Sequence, residues 1–133
     1  MLKSISESSA FMRVNGLKYL TVCYKKIFKK VQLQVFEYES GDSFVYPVSA
    51  GIKVDLIGAL YAKNSNIEVY TKIPAGKELE RIAICTSKWT GKRVIEVVEM
   101  TDGSVVVTPL SKDIITEKVD AAYIKAEIER IAK

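Results

Sequence analysis

Two short segments of the chain each interleave lysines with one aromatic residue. The first spans residues 25–30 and contains Phe28, and the second spans residues 87–92 and contains Trp89. Lysines neutralise phosphates, and exposed rings stack on unpaired bases, so the pattern is typical of a surface that holds a single nucleic-acid strand. The cations that we select on this basis are Lys25, Lys26, Lys29, Lys30, Lys88, Lys92 and the adjacent Arg93. The alternative is a solubilising hairpin tip whose ring folds back onto its own sheet.

The outward face of the predicted sheet is a second candidate surface. Aromatic and amide side chains on an exposed sheet are typical of base-stacking platforms. The candidate residues are Tyr19, Gln32, Gln34 and Phe36, with Tyr38 beside them and Arg81 joining from the second half of the chain. The alternative is that Phe36 and Tyr38 form the core between the two halves. Strand register separates these readings, and the sequence leaves both open.

Catalytic groups are sparse. The chain has no histidine, which removes Ser-His-Asp and Cys-His chemistry, and it has no glycine-rich phosphate loop. Its two cysteines, Cys23 and Cys85, lie in apolar, β-branched surroundings and are predicted to be buried thiols. No CxxC motif suggests a metal, and capping explains the aspartates. We therefore expect no enzyme activity, no metal site and no cofactor.

Composition limits the class of protein. The 133 residues are 48% hydrophobic and carry a net charge of +4, which suits a globular protein with an anionic partner. Apolar runs are shorter than the roughly 18 residues of a membrane span, and no signal peptide is recognised at the N-terminus. We expect an intracellular protein of the cytoplasm or nucleoid with no membrane partner. The few amides beside abundant Ile, Val, Lys and Glu hint at a thermophilic host.

The chain aligns with itself at a shift of 62 residues. Leu17 falls on Leu79, Cys23 on Cys85 and Pro47 on Pro109, without a gap. Tyr61 likewise falls on Tyr123, and both tyrosines are predicted to pack between the two copies. A repeat this regular predicts two copies of one unit, about 9–64 and 67–133, joined at Asn64-Ser65-Asn66 into a single domain over residues 1–133.

Alternating apolar residues predict the strands of each unit. They span Leu17–Lys25, Val31–Tyr38 and Ser43–Val48 in the first copy, and Lys77–Ser87, Arg93–Met100 and Val105–Leu110 in the second. Ser49 and Ser111 then stand where N-caps are expected. Apolar residues after them, such as Ile52, Leu56 and Leu60, recur at helical spacing and predict a helix in each copy. A further strand, Ile67–Ile73 or the weaker Ala10–Val14, is predicted to open each unit.

This order of elements resembles the single-stranded nucleic-acid-binding superfamily of positive cofactor four, Pur-alpha and the Whirly proteins. The likeness is carried by Leu17–Val22 with its lysine-rich turn and Val31–Tyr38, by Arg93–Glu99, and by the strands that run into Ser49 and Ser111. The two-unit, Pur-alpha-like version is the closer match. The resemblance implies an α+β fold, a tandem ββββα repeat forming an intramolecular pseudo-dimer of antiparallel curved sheets with packed helices. Glu96 and Glu99 depart from a strong binder, because carboxylates on a sheet face repel phosphates.

Two functional hypotheses follow. In the first, the protein binds single-stranded DNA or RNA through the basic aromatic turns and the exposed sheet face, without catalysis. In the second, it is a protein-interaction or structural assembly module without nucleic-acid binding. The long apolar stripe of Ile124, Ile128 and Ile131 would then pair with another chain, giving a homodimer through the C-terminal helix.

Overall fold

The computed structural model describes residues 16–132, without the side chains at positions 125, 127–129, 131 and 132. Its fold is α+β, with two antiparallel four-stranded sheets and two helices in the described residues. The elements are β1 (Leu17–Lys25), β2 (Val31–Tyr38), β3 (Ser43–Pro47), β4 (Ile52–Gly58), α1 (Ala59–Asn64), β5 (Leu79–Ser87), β6 (Arg93–Met100), β7 (Val105–Pro109), β8 (Ile114–Asp120) and α2 (Ala121–Ala132). Every element of the first half begins 62 residues before its counterpart in the second.

The two halves exchange their fourth strands. The first sheet has the order β3-β2-β1-β8, and the second has the order β4-β5-β6-β7. In the first sheet Leu20 pairs with Val119, and in the second Ile57 pairs with Ile82. Each sheet therefore consists of three consecutive strands and one strand from the other half. The edge strands also meet, because β3 contacts β4 and β7 contacts β8.

The sheets pack face to face over an apolar core. Alternation along β2 sends Leu33 and Val35 inward, whereas Gln34 and Phe36 face outward and are half-buried. The core contains both cysteines, completely buried, together with Leu33, Val35, Val45, Ile52, Ala83, Ile95, Val97, Val105 and Ile114. Burial raises the pKa of the Cys23 and Cys85 thiols to about 12, so both are inert as nucleophiles at neutral pH.

The predicted helices after Ser49 and Ser111 are wrong over their first seven residues. Residues 52–58 and 114–120 are strands, and the helices begin only at Ala59 and Ala121. The apolar spacing was misleading, since Leu56 and Leu60 are exposed and only Ile52 enters the core. Pairing with the open edges of β1 and β5 outweighs the helical pattern, as tertiary context commonly does. Ser49 and Ser111 instead open turns, in which their carbonyls accept the N–H groups of Ile52 and Ile114 at 3.2 Å.

Two further expectations meet different outcomes. Tyr61 and Tyr123 are exposed, so the prediction that they pack between the copies is wrong. Asp120 caps α2, accepting the N–H of Tyr123 at 2.9 Å. The predicted strand Ala10–Val14 lies outside the described residues.

Residues 65–78 cross the outer face of the second sheet, so the predicted strand Ile67–Ile73 is also wrong. Their apolar side chains, Ile67, Val69 and Ile73, pack on a buried cluster of Ile82, Ile84, Val98 and Met100 with Ala62. We call this segment the linker. It pairs with no strand among the described residues, because its central N–H groups are bound by a side chain.

That side chain is Glu96, which is only 1% exposed. Its carboxylate accepts the N–H of Tyr70 at 2.9 Å and that of Thr71 at 2.7 Å, and the Thr71 hydroxyl donates to it as well. Arg93 lies 3.8 Å from the same carboxylate and donates to the carbonyl of Glu68 at 2.6 Å. A buried charge is tolerated when it is paired and hydrogen-bonded in this way. The expectation that Glu96 repels phosphates from an open face is therefore wrong.

Removing this carboxylate should release the linker. We expect Glu96→Ala to lower the free energy of unfolding by about 3 kcal/mol, because two buried N–H groups and a guanidinium lose their partner. Glu96→Gln should lose less, since one amide oxygen still accepts. Denaturant unfolding measures both. The matched control is Glu80→Ala, which removes an exposed carboxylate of β5; an equal loss in that variant would contradict the role of Glu96.

Candidate functional site

A cleft of about 540 Å³ opens at one end of the two packed sheets. The β1–β2 and β5–β6 turns line it together with the loops that precede β4 and β8. The predicted residues that meet there are Lys25, Lys30, Gln32, Trp89, Lys92 and Arg93. Both halves of the chain therefore contribute to one site.

Reciprocal backbone hydrogen bonds fix the two turns over the cleft. The N–H of Lys26 donates to the carbonyl of Asp113 at 2.8 Å, and the N–H of Lys88 donates to that of Gly51 at 2.9 Å. Each turn is thus tied to the loop that carries a strand into the other sheet. The strand exchange is what brings turn and loop together.

The two aromatic rings of these turns face solvent. Phe28 is 95% exposed at a φ of 63°, and Trp89 is 83% exposed. A positive φ is uncommon for a bulky residue and aims the Phe28 ring away from the sheet. The alternative that the rings fold back onto the sheet does not hold for either residue.

The cleft is unequal on its two sides. The Trp89 indole lies over Gly51, so that a Cβ at Gly51 would be 3.0 Å from Nε1. The position 62 residues after Gly51 holds Asp113, whose carboxylate accepts a hydrogen bond from the Ser111 hydroxyl. Across from it, Ile27 stands at the position equivalent to Trp89. Only one side of the cleft has a ring over a glycine.

The lysines of both turns are free of carboxylate partners. In residues 16–132, no ion pair joins the side chains of Lys25, Lys26, Lys29, Lys30, Lys88 or Lys92 to an acid. Asp113 is the one carboxylate that lines the cleft in the described part of the chain. The excess of positive charge is therefore available to an anion.

Several predicted residues lie elsewhere or are already engaged. Gln34 and Phe36 are on the outer face of the first sheet and do not line the cleft. Tyr19 lies near the other end of β1, where the ammonium of Lys118 is 4.3 Å from its ring centroid. Arg81 pairs with Glu99 at 3.3 Å, which places both charges in an internal contact.

Gln32 and Arg93 line the cleft but also support its walls. Gln32 is buried at a β-bulge, and its side chain donates to the carbonyl of Lys30 at 3.2 Å. Arg93 holds the linker and stacks 5.3 Å from the Tyr70 ring centroid. Neither side chain is as free as the turn lysines.

Sequence reasoning missed Ser49, Gly51, Ser111 and Asp113, which also line the cleft. Two of them had been assigned to helix caps. The repeat offered one signal, since the glycine-for-aspartate exchange at positions 51 and 113 marks the place where the halves differ.

No protein-family model matches the sequence, and no curated protein or solved structure matches it. In the described residues, no group of three or more His, Cys, Asp or Glu is arranged to hold a metal ion. Within residues 16–132, no helix is long and apolar enough to cross a membrane. The site must therefore be understood from its own geometry.

The contact between Trp89 and Gly51 can be tested directly. We expect Gly51→Ala to displace the indole, since the added Cβ would lie 3.0 Å from Nε1. Trp89 is the only tryptophan, so a ¹⁵N–¹H spectrum reports it as one indole cross-peak, which should shift. Gly58→Ala is the control, because a Cβ there meets no atom within 4 Å. An unmoved indole peak in Gly51→Ala would refute the stacking.

Proposed function

We propose that the protein binds single-stranded DNA or RNA at the cleft between its two basic turns. One observation carries the proposal: six lysines without carboxylate partners and two exposed rings flank a single cleft. Lysines at such a site neutralise phosphates and release counterions, which is the main source of non-specific affinity for nucleic acid.

The exposed rings favour a single strand over a duplex. Phe28 and Trp89 offer flat apolar faces to solvent, which is costly unless a ligand covers them. Unpaired bases stack on such rings, whereas the bases of a duplex are already stacked on one another. The ligand class follows from the pairing of ring and lysine in each turn.

The sheet faces contribute less than the sequence led us to expect. The linker covers the outer face of the second sheet, and the inner faces form the core. Binding is therefore assigned to the turns and the cleft. The first turn carries four lysines against two in the second, so the first half should contribute more phosphate contacts.

The duplication is part of the same proposal. The equal element bounds, the reciprocal strand exchange and the shared cleft support two ββββα units related by a pseudo-twofold axis. The backbones at Gly41 and Gly103 approach each other at the opposite end, where a Cβ on Gly103 would be 3.2 Å from the Gly41 Cα. This arrangement agrees with the resemblance to the Pur-alpha-like proteins.

Salt dependence tests the lysines. Labelled single-stranded oligonucleotides should bind at low salt with micromolar affinity or better in fluorescence anisotropy. Lys30→Ala with Lys92→Ala should make the slope of log K against log salt shallower by about 1.4, since each lost phosphate contact removes about 0.7. The control pair, Lys63→Ala with Lys72→Ala, removes the same charge from α1 and the linker and should leave the slope unchanged. Equal effects from both pairs would leave only a non-specific charge effect and contradict a site at the cleft.

Stacking is tested at the single tryptophan. Binding should quench Trp89 fluorescence, and Trp89→Ala should weaken affinity about 10-fold, within the roughly 1–3 kcal/mol of one stacked base. Tyr61→Ala removes an exposed ring of α1 and should not change affinity. Unquenched fluorescence together with unchanged affinity in Trp89→Ala would exclude stacking.

The assembly hypothesis has its own support. Leu60, Tyr61 and Tyr123 expose apolar surface on α1 and α2, which suits a contact with another chain. Light scattering distinguishes the two functions. A stable homodimer that ignores nucleic acid would favour assembly, whereas a monomer that binds oligonucleotides would favour the cleft.

A further inference from the structure

The outer face of the first sheet has an unusual composition for a surface. Its outward side chains come from β1, β2, β3 and β8 and are mostly apolar or aromatic. They are Leu20, Val22, Tyr24, Gln34, Phe36, Tyr38, Phe44, Tyr46, Ile115, Glu117 and Val119. The described outward side chains of this face are half-buried apart from the exposed Glu117. A face of this kind is expected to carry a cover.

The second sheet has such a cover. On its corresponding face, Ile82, Ile84, Val98 and Met100 are buried by the linker. Positions 62 residues before linker residues 65–78 are residues 3–16. These residues precede β1, so residues 3–15 lie outside the described part of the chain.

The sequence of residues 3–15 matches the linker at the positions that make its contacts. Ile5 corresponds to Ile67, Phe11 to Ile73 and Ser9 to Thr71. The match is incomplete, since Glu7 stands where the linker has Val69. Two of the three apolar anchors and the hydroxyl are nevertheless retained.

The chain also enters both sheets in the same way. The N–H of Glu39 donates to the carbonyl of Gly16 at 2.7 Å. The equivalent bond runs from Thr101 to Glu78 at 2.9 Å, where the linker leaves its sheet to begin β5. The residues before Gly16 therefore start from the same place on the first sheet as the linker does on the second.

The anchor beneath the linker is replaced as a pair. Arg93 and Glu96 of the second half correspond to Val31 and Gln34 of the first. A lone glutamate there would be an unpaired charge under a cover, whereas glutamine keeps an acceptor oxygen without one. Losing both charges together preserves a site that accepts backbone N–H groups.

We propose that residues 3–15 lie across the outer face of the first sheet as an intramolecular strap. Ile5 and Phe11 pack on the apolar face around Leu20 and Phe36, and the Gln34 side-chain oxygen accepts N–H groups of Ser8 and Ser9. The proposal rests on the duplication argued above and does not depend on nucleic-acid binding. It assigns this sheet face to the protein's own N-terminal segment and leaves the cleft for the ligand.

A cysteine reporter on the face tests the strap. Cys23 and Cys85 are buried with raised pKa values, so a thiol reagent should see little background in the folded protein. In the otherwise intact chain, Leu20→Cys should react slowly, as its counterpart Ile82 is buried under the linker. Adding Ile5→Ser and Phe11→Ser should raise the rate by about 10-fold or more, because the strap then loses its apolar anchors. The matched control, Val48→Ser with Leu60→Ser, removes two exposed apolar groups elsewhere and should not change the rate.

Each other outcome overturns the strap. A Leu20→Cys thiol that reacts as fast as an exposed Phe28→Cys thiol means that the face is open. Protection that strengthens with protein concentration, with a dimer in light scattering, means that a second copy covers the face. Protection that appears only with an added oligonucleotide means that nucleic acid covers it. Anisotropy of the same variants separates these results from a failure of the cleft, since the serine variants should bind oligonucleotide normally.

Hydrogen exchange gives a second measurement without any substitution. The amides of Ser8 and Ser9 should exchange slowly, as those of Tyr70 and Thr71 should under Glu96. Gln34→Ala should accelerate exchange at Ser8 and Ser9 alone. Ser8 and Ser9 amides that exchange at unprotected rates in the unmodified protein would overturn the proposal, even if the serine variants fail to fold.

Discussion

The structure depends on an unfilled edge. In each half, three consecutive strands form an antiparallel meander whose first strand, β1 or β5, has a free side, and an exposed edge of this kind seeks another strand. The fourth strand of the other half fills it. Because β4 and β8 cross in opposite directions, both sheets close through the same exchange, and neither half is complete alone. The loops that make the crossing also bring Gly51 and Asp113 under the opposite basic turns.

The edge also explains which elements were predictable. Strands β1, β2 and β3 and their counterparts follow from alternation, because one of their faces always enters the shared core. Strands β4 and β8 were mistaken for helices, because Leu56 and Leu60 recur at helical spacing while facing solvent. Local pattern cannot reveal a partner strand contributed by the other half. The linker failed for a related reason, since its N–H groups are held by Glu96, a contact between residues 25 and 26 positions apart.

The site was predicted in its parts and not in its assembly. The two lysine-aromatic turns are visible in sequence because their residues are contiguous. Their meeting at one cleft depends on the strand exchange, which pattern does not reveal. Arg81 and Arg93 look like free cations in the sequence, yet their neighbours in space, Glu99 and Glu96, occupy them. Charge counts therefore overstated the second half, while exposure of Phe28 and Trp89 strengthened the turns.

The pairing of β1 with β8 has a consequence for biosynthesis. Tyr24 must wait for Ile115, and Leu20 for Val119, so the first sheet cannot close until the ribosome has made nearly the whole chain. Contacts this distant along the sequence are slow to form. During translation the edge of β1 remains open beside β2 and β3, ready to accept β8 from a neighbouring nascent chain. A polysome would thus be the place where interlocked, domain-swapped molecules arise.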